Sequence, residues 1–185
     1  MFADRGEIIS AGNFHGEYPA KALDYLAIGV HELAAMSERR IERLVNPAYS
    51  ELPAFLVGEG GLNSGFMIAH VTAAALASAN KTLSHPASVD TIPTSANQED
   101  HVSMAANAGT KLTKVIRNLE RILAIEFMTA AQALEFRAPK QSSEFIMELL
   151  KSYREVVPFV DEDRFLSKDM HETVDFLRSN RNRIG

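Results

Sequence analysis

Between residues 20 and 44 the apolar side chains Leu23, Leu26, Ala27, Val30, Leu33, Ala34, Ile41 and Leu44 recur at steps of three and four. That spacing lines them along one stripe of an amphipathic helix, and Pro47 and Pro53 bracket its end. A second helix is predicted over residues 64–79, "SGFMIAHVTAAALASA", apolar almost all round, with Asn63 or Ser64 as its cap. Such a helix is normally enclosed by other helices at close approach. Residues 81–96, with Pro86 and Pro93, read as a loop. A long periodic helix then runs over residues 99–136 through Leu112, Val115, Leu119, Ile122 and Leu123, closed by Pro139. Two shorter helices follow over residues 143–157 and 168–178, parted by Pro158 and the acidic turn "DEDR". No segment alternates as a strand would. The predicted fold is all-α, an elongated helical bundle forming a single domain over residues 1–185.

The long helix carries a further inference. Its predicted length is about 55 Å at a rise of about 1.5 Å per residue, whereas a compact sphere of this chain length is about 40 Å across. The bundle is therefore elongated, or other chains cover part of its apolar stripe.

Composition narrows the classes. Hydrophobic residues make up 46% and charged residues 23%, the balance of an ordinary globular protein. The net charge of -5 argues against a nucleic-acid surface. The one basic cluster, "SERRIER" at residues 37–43, interleaves Glu38 and Glu42 and reads as a solvated or ion-paired helix face. The absence of cysteine excludes disulfides and thiolate metal sites, consistent with a cytoplasmic location. The start "MFADRGEIIS" has no apolar run of the export type, and residues 66–79 are too short to span a bilayer. Neither a membrane nor a nucleic acid is an expected partner.

Two stretches carry candidate chemistry. "TSANQEDHVSM", residues 94–104, has two readings. Ser95 with Gln98, and Asn97 with Asp100, fit capping boxes, with Glu99 and Asp100 in a first helical turn. Alternatively, five successive polar residues exceed what a cap requires, and a carboxylate there suits a cationic or hydrogen-bond-donating ligand. "SAGNFHGEYPAKALDY", residues 10–25, flanks Asn13, Phe14 and His15 with Gly12 and Gly16 directly before a helix. It reads either as a turn presenting those side chains to a pocket or as a turn with a hydrophobic plug. "GEGG" at residues 58–61 lacks the features of a phosphate loop. Ala35 stands where "HELAAM" would need a second zinc histidine, and the six histidines show no metal-ligand spacing. Ser64 has no neighbouring base.

Together, "FADRGEIISAGNFHGEYPAKALDYLAIGVHELA", "SERRIERLVNP", "LPAFLV", "GLNSGFMIAHVTAAALASANK", "HPASVD" and "TSANQEDHVSM" resemble the C-terminal half of the histidine ammonia-lyases, in the aromatic amino acid ammonia-lyase family. The later "DRFLSKDM" is similar to its closing region. The resemblance implies the helical fold of the ammonia-lyases and aspartase-like proteins. It also implies a homotetramer whose subunits complete one another's active sites, and conversion of L-histidine to urocanate and ammonia in histidine catabolism. The family's electrophile is a methylidene-imidazolone made from an Ala-Ser-Gly tripeptide, and its base is a loop tyrosine. Both lie in the family's N-terminal half.

By the same resemblance Phe14 packs near electrophile and substrate, and Glu99 faces the substrate imidazole or amino group as a catalytic and substrate-binding residue. Asn13, His15, Gln98 and His101 line or support the site. Glu99 and His15 stand where phenylalanine ammonia-lyases usually carry glutamine, which favours a polar ring. Ala105 departs from the glycine that usually follows "HVSM", and no Ala-Ser-Gly occurs in the 185 residues. Two expectations follow. In the first, the chain is the C-terminal portion of a histidine ammonia-lyase, silent alone, that assembles with itself or with an N-terminal-half chain supplying the electrophile. In the second, it is a non-catalytic helical oligomerisation or regulatory subunit built on the same scaffold.

Overall fold

A computed structural model describes residues 1–10 and 15–184. Its helices are α1 (Glu17–Val45), α2 (Pro47–Ser50), α3 (Met67–Leu83), α4 (Ala105–Glu135), α5 (Glu144–Arg154), α6 (Ser167–Ser179) and α7 (Arg181–Ile184). Among the described residues, strand pairing is limited to isolated bridges, so the all-α expectation holds.

The amphipathic pattern of α1 buries Ala20, Ala27, Ala34 and Ile41 against α4. Pro19 sits in the first turn, where a missing N–H removes no helical bond. The two long helices run parallel: Gly16 meets Ala105, Asp24 meets Lys111, and Ser37 meets Glu126. α3 runs antiparallel to both, with His70 on Glu38 and Asn80 on Asn118. Alanines 69, 73 and 77 on its buried face allow that close approach. The basic cluster is ion-paired as expected, Arg39 with Glu38 and Arg40 with Glu126.

Buried polar groups tie the distal half to α4. Gln132, fully buried, donates to the carbonyls of Leu56 and Val160 at 3.0 and 2.9 Å and accepts the Val160 N–H at 3.1 Å. Tyr153 packs edge-on against Phe127, and its hydroxyl meets Thr173 at 2.7 Å. A fully satisfied buried amide of this kind specifies one arrangement of the segments it joins.

Several boundaries differ from the sequence expectation; among them α1 begins at Glu17 rather than residue 20, and α3 runs on to Leu83 rather than ending at residue 79. α4 begins at Ala105 rather than residue 99, spanning 31 residues or about 46 Å. Its N-cap is Met104, in the left-handed region at φ 50, with no side-chain cap. The capping boxes at Ser95/Gln98 and Asn97/Asp100 are therefore not formed. Ser95, Ala96 and Asn97 instead make a 3-10 turn, all three with positive φ. α3 begins at Met67, and neither Asn63 nor Ser64 caps it. The Ser64 and Gly65 N–H groups donate instead to the carboxylate of Asp163, at 2.8 and 2.7 Å, from the distant "DEDR" turn. α5 ends at Arg154 rather than residue 157, and Ser143 caps its start by accepting from the Ile146 N–H.

Candidate functional site

The polar stretch ahead of α4 is shaped by tertiary bonds. Thr94 and Glu99 exchange both backbone hydrogen bonds, at 2.9 and 3.3 Å, closing the 3-10 turn between them. Three residues on, the Val102 N–H donates to the Thr91 hydroxyl at 2.9 Å. The backbone on both sides of Glu99 is thereby held. Its side chain is exposed and has no hydrogen bond or ion pair among the described residues. Gln98 is likewise exposed, its N–H donating to the Ser95 carbonyl at 3.1 Å.

His101 lies where this stretch meets the start of α1. Its ring stands edge-on to that of His15, with centroids 5.7 Å apart and planes at 88°, and its Nε2 lies 3.5 Å from Glu17 Oε2. Glu17 Oε1 pairs with Lys21 at 3.2 Å, one helical turn along. Gly16 closes the same junction by backbone approach: a Cβ built on it would lie 2.7 Å from Ala105 Cβ. The two candidate stretches, far apart in sequence, thus converge on one corner of the bundle.

Of the residues predicted for the site, His15, Gln98, Glu99 and His101 fall at or beside this corner. Asn13 and Phe14 lie outside the described residues. Glu17 and Thr91 belong to the junction but were not singled out from sequence. Glu17 reads there as an ordinary first-turn acid and Thr91 as a loop residue, and only their tertiary partners distinguish them.

The loop before the stretch is anchored separately. Asp24, buried on α1, accepts the Ser88 N–H at 2.7 Å and the Lys111 ammonium at 3.3 Å. Burial raises the Asp24 carboxyl, but hydrogen bonds from Ser88, Ala87 and Lys111 outweigh it and hold it below its ordinary value. A cleft of about 560 Å³ opens next to this anchor, lined by His85, Asp90, Met104, Asn107 and Lys111 among others. The more apolar groove, about 580 Å³ between α4 and α6, is lined by residues distant from the corner. We take the corner as the candidate site, because convergent polar groups rather than apolar volume mark chemistry.

Among the described residues no group of three or more potential ligands is arranged to hold a metal ion. No described helix is long and apolar enough to cross a membrane.

Comparison with known proteins adds independent observations. The profile of a family described as aromatic amino acid lyase matches residues 1–155. The chain is 61% identical to the histidine ammonia-lyase of Homo sapiens over 170 residues, 92% of this chain but 26% of that protein. It superposes on the crystal structure of histidine ammonia-lyase from Trypanosoma cruzi with a TM-score of 0.90 and 56% identity, covering 95% of this chain and 34% of the other. A tyrosine aminomutase from Streptomyces globisporus superposes with a TM-score of 0.86 at 34% identity, covering 95% of this chain and 35% of that one. The chain spans about a quarter to a third of the length of the relatives it matches.

Proposed function

Because the chain belongs to the aromatic amino acid lyase family, we infer that it supplies one wall of the substrate site of a histidine ammonia-lyase, an enzyme that eliminates ammonia from L-histidine to give urocanate. The observation that carries this reading is the presentation of Glu99. Its backbone is bonded on both sides to Thr94, and its carboxylate is exposed and unpaired among the described residues. An ionised carboxylate on a braced backbone suits an imidazole N–H or an ammonium group, and a bare phenyl ring offers it no hydrogen bond. His15 and His101 line the same corner, with Gln98 beside it. Phe14 and Asn13 belong to the site by resemblance.

The chain does not contain the precursor of the family's electrophile. No Ala-Ser-Gly occurs in the sequence. The nearest analogue, Asn63-Ser64-Gly65, has the N–H groups of Ser64 and Gly65 bound to Asp163. These residues do not fit a methylidene-imidazolone. The reading is that another polypeptide segment supplies it, and that the 185 residues alone are catalytically silent. Exposed Tyr18, Tyr25, Leu26, Leu33 and Met36 on α1, with Met67, Ile68 and Val71 on α3, support burial of these faces by further protein, as in a cytoplasmic oligomer. The same faces favour the second reading, a non-catalytic assembly subunit.

Urocanate absorbance distinguishes the two. Expected are no turnover of L-histidine by the chain alone, turnover once a polypeptide bearing the Ala-Ser-Gly half is added, and a loss of about 10²-fold or more in kcat/KM for Glu99→Ala. Turnover by the chain alone would overturn its silence, and wild-type kinetics in the Glu99→Ala assembly would overturn the role given to Glu99. An assembled, folded complex with no turnover at all would favour the subunit reading.

A further inference from the structure

The hydrogen-bond geometry around His101 gives Glu17 a role. Thr91 Oγ1 accepts the Val102 N–H at 2.9 Å and lies 3.5 Å from His101 Nδ1. On the other side of the ring, Nε2 lies 3.5 Å from Glu17 Oε2. That carboxylate oxygen is buried and has no hydrogen-bond partner among the described residues, while its twin faces Lys21. The Thr91 side permits either tautomer, because a hydroxyl donates to a bare Nδ1 or accepts from a protonated one. The Glu17 side does not: an unprotonated Nε2 would set a lone pair against a buried carboxylate oxygen, whereas Nε2–H points a donor at an acceptor that lacks a partner among the described residues.

We propose that Glu17 is a positioning residue that selects the Nε2–H tautomer of His101 and, through that ring, braces the Glu99 segment against the first turn of α1. The proton path is then Val102 N–H to Thr91 Oγ1, Thr91 O–H to His101 Nδ1, and His101 Nε2–H to Glu17. Glu99 is two residues from His101, and its own backbone is closed onto Thr94. A ring fixed on both edges therefore limits where the Glu99 carboxylate points. His15, edge-on to the ring, and Gly16, against Ala105 and Ser103, pack the same joint from α1. The consequence for substrate binding rests on the lyase reading above. The tautomer selection does not.

Two measurements test the proposal separately. In the full 185-residue chain labelled with ¹⁵N-histidine, at a pH where the imidazole is neutral, long-range ¹H–¹⁵N correlation reads the His101 tautomer. The wild type is expected to show Nε2–H alone, Glu17→Ala a mixture with Nδ1–H, and Glu17→Gln, which keeps a carbonyl acceptor, mainly Nε2–H. An unchanged tautomer in Glu17→Ala, or Nδ1–H in the wild type, overturns the proposal. In the complete assembly, Glu17→Ala is expected to raise KM for L-histidine about tenfold while kcat changes less than about twofold, with Glu17→Gln recovering most of the loss. Once Glu99→Gln is present, Glu17→Ala is expected to add less than about twofold in KM, since the two act through one segment. Equal, fully additive effects in the two backgrounds overturn the positioning role. If the wild-type assembly shows no turnover, the lyase reading fails, and the tautomer measurement alone decides for or against Glu17.

Discussion

Gly16 and Ala105 are in contact at the start of the two parallel long helices, and the contact has room for one methyl group, not two. A Cβ on Gly16 would sit 2.7 Å from Ala105 Cβ and 3.6 Å from Ser103 Oγ. Gly16 has φ -79, a conformation open to any residue, so glycine is needed here for space and not for backbone freedom. The Ala105 methyl fits because the facing residue has none. Gly16→Ala is expected to destabilise the chain by about 1–3 kcal/mol, and Ala105→Gly in the same chain to restore most of the loss. Urea denaturation of the two single variants and the double variant checks this. Additive effects would show that the contact is not what limits the site.

Two boundaries missed from sequence, the starts of α3 and α4, share one cause. Helices α1, α3, α4, α5 and α6 were legible because spacing at three and four residues is a local signal that tertiary packing reinforces. "SANQED" also looks local, since Ser95 and Gln98 have the spacing of a capping box. Yet the Thr91 hydroxyl and the Thr94–Glu99 pairing hold the stretch out of the helix until Ala105. The start of α3 shows the same override, because the groups satisfying Ser64 and Gly65 come from Asp163, at the far end of the sequence. For the candidate site, the motifs singled out Glu99, His15 and His101. Glu17 and Thr91 were hidden because an acid in a first turn and a threonine in a loop carry no signal until their partners are known.

Gln132 offers a sharp test of the distal half. Its amide satisfies three backbone groups, the carbonyls of Leu56 and Val160 and the N–H of Val160. Gln132→Leu fills similar volume but strands all three in a buried setting, at a cost of about 1–3 kcal/mol for an unsatisfied group. The expected result is a loss of about 3–5 kcal/mol in unfolding free energy, with amide hydrogen exchange at Val160 rising in parallel. A loss below about 1 kcal/mol would show that water or rearrangement replaces the amide.

Glu38 links stability to acid. The Arg39 side chain beside it lowers its carboxyl most, burial opposes this, and His70 across the helix interface lowers it further at 2.9 Å. A depressed folded-state value means that the stabilisation is fully present above the ordinary glutamate value of 4.5. It is lost as pH falls through the lower folded-state value. Arg39 is largely exposed, so the contact with His70 is expected to dominate. Glu38→Gln should lower stability by about 1–2 kcal/mol at neutral pH and flatten the decline below pH 4.5. Urea midpoints measured against pH in both proteins check this.

Tyr153 makes the opposite link at alkaline pH. Burial pushes its phenol up to about 12, against the opposing pull of the Thr173 hydrogen bond and the Arg154 charge. The folded state therefore prefers the neutral phenol. Its contribution is fully present below the ordinary value of 10.0 and is lost as pH rises through about 12. A shift of this size corresponds to about 3 kcal/mol at most. Tyr153→Phe removes the hydroxyl but leaves Thr173 donating to the Asp169 carbonyl at 2.7 Å, so its cost at neutral pH should be only about 1 kcal/mol. The expected pattern is a wild-type chain that loses stability steeply above pH 10 and a variant whose curve is flatter there. In the wild type, tyrosinate absorbance should show one of the four tyrosines ionising only as the chain unfolds. If Tyr153→Phe lost alkaline stability as steeply as the wild type, ionisation of this phenol would not be what limits the fold at high pH.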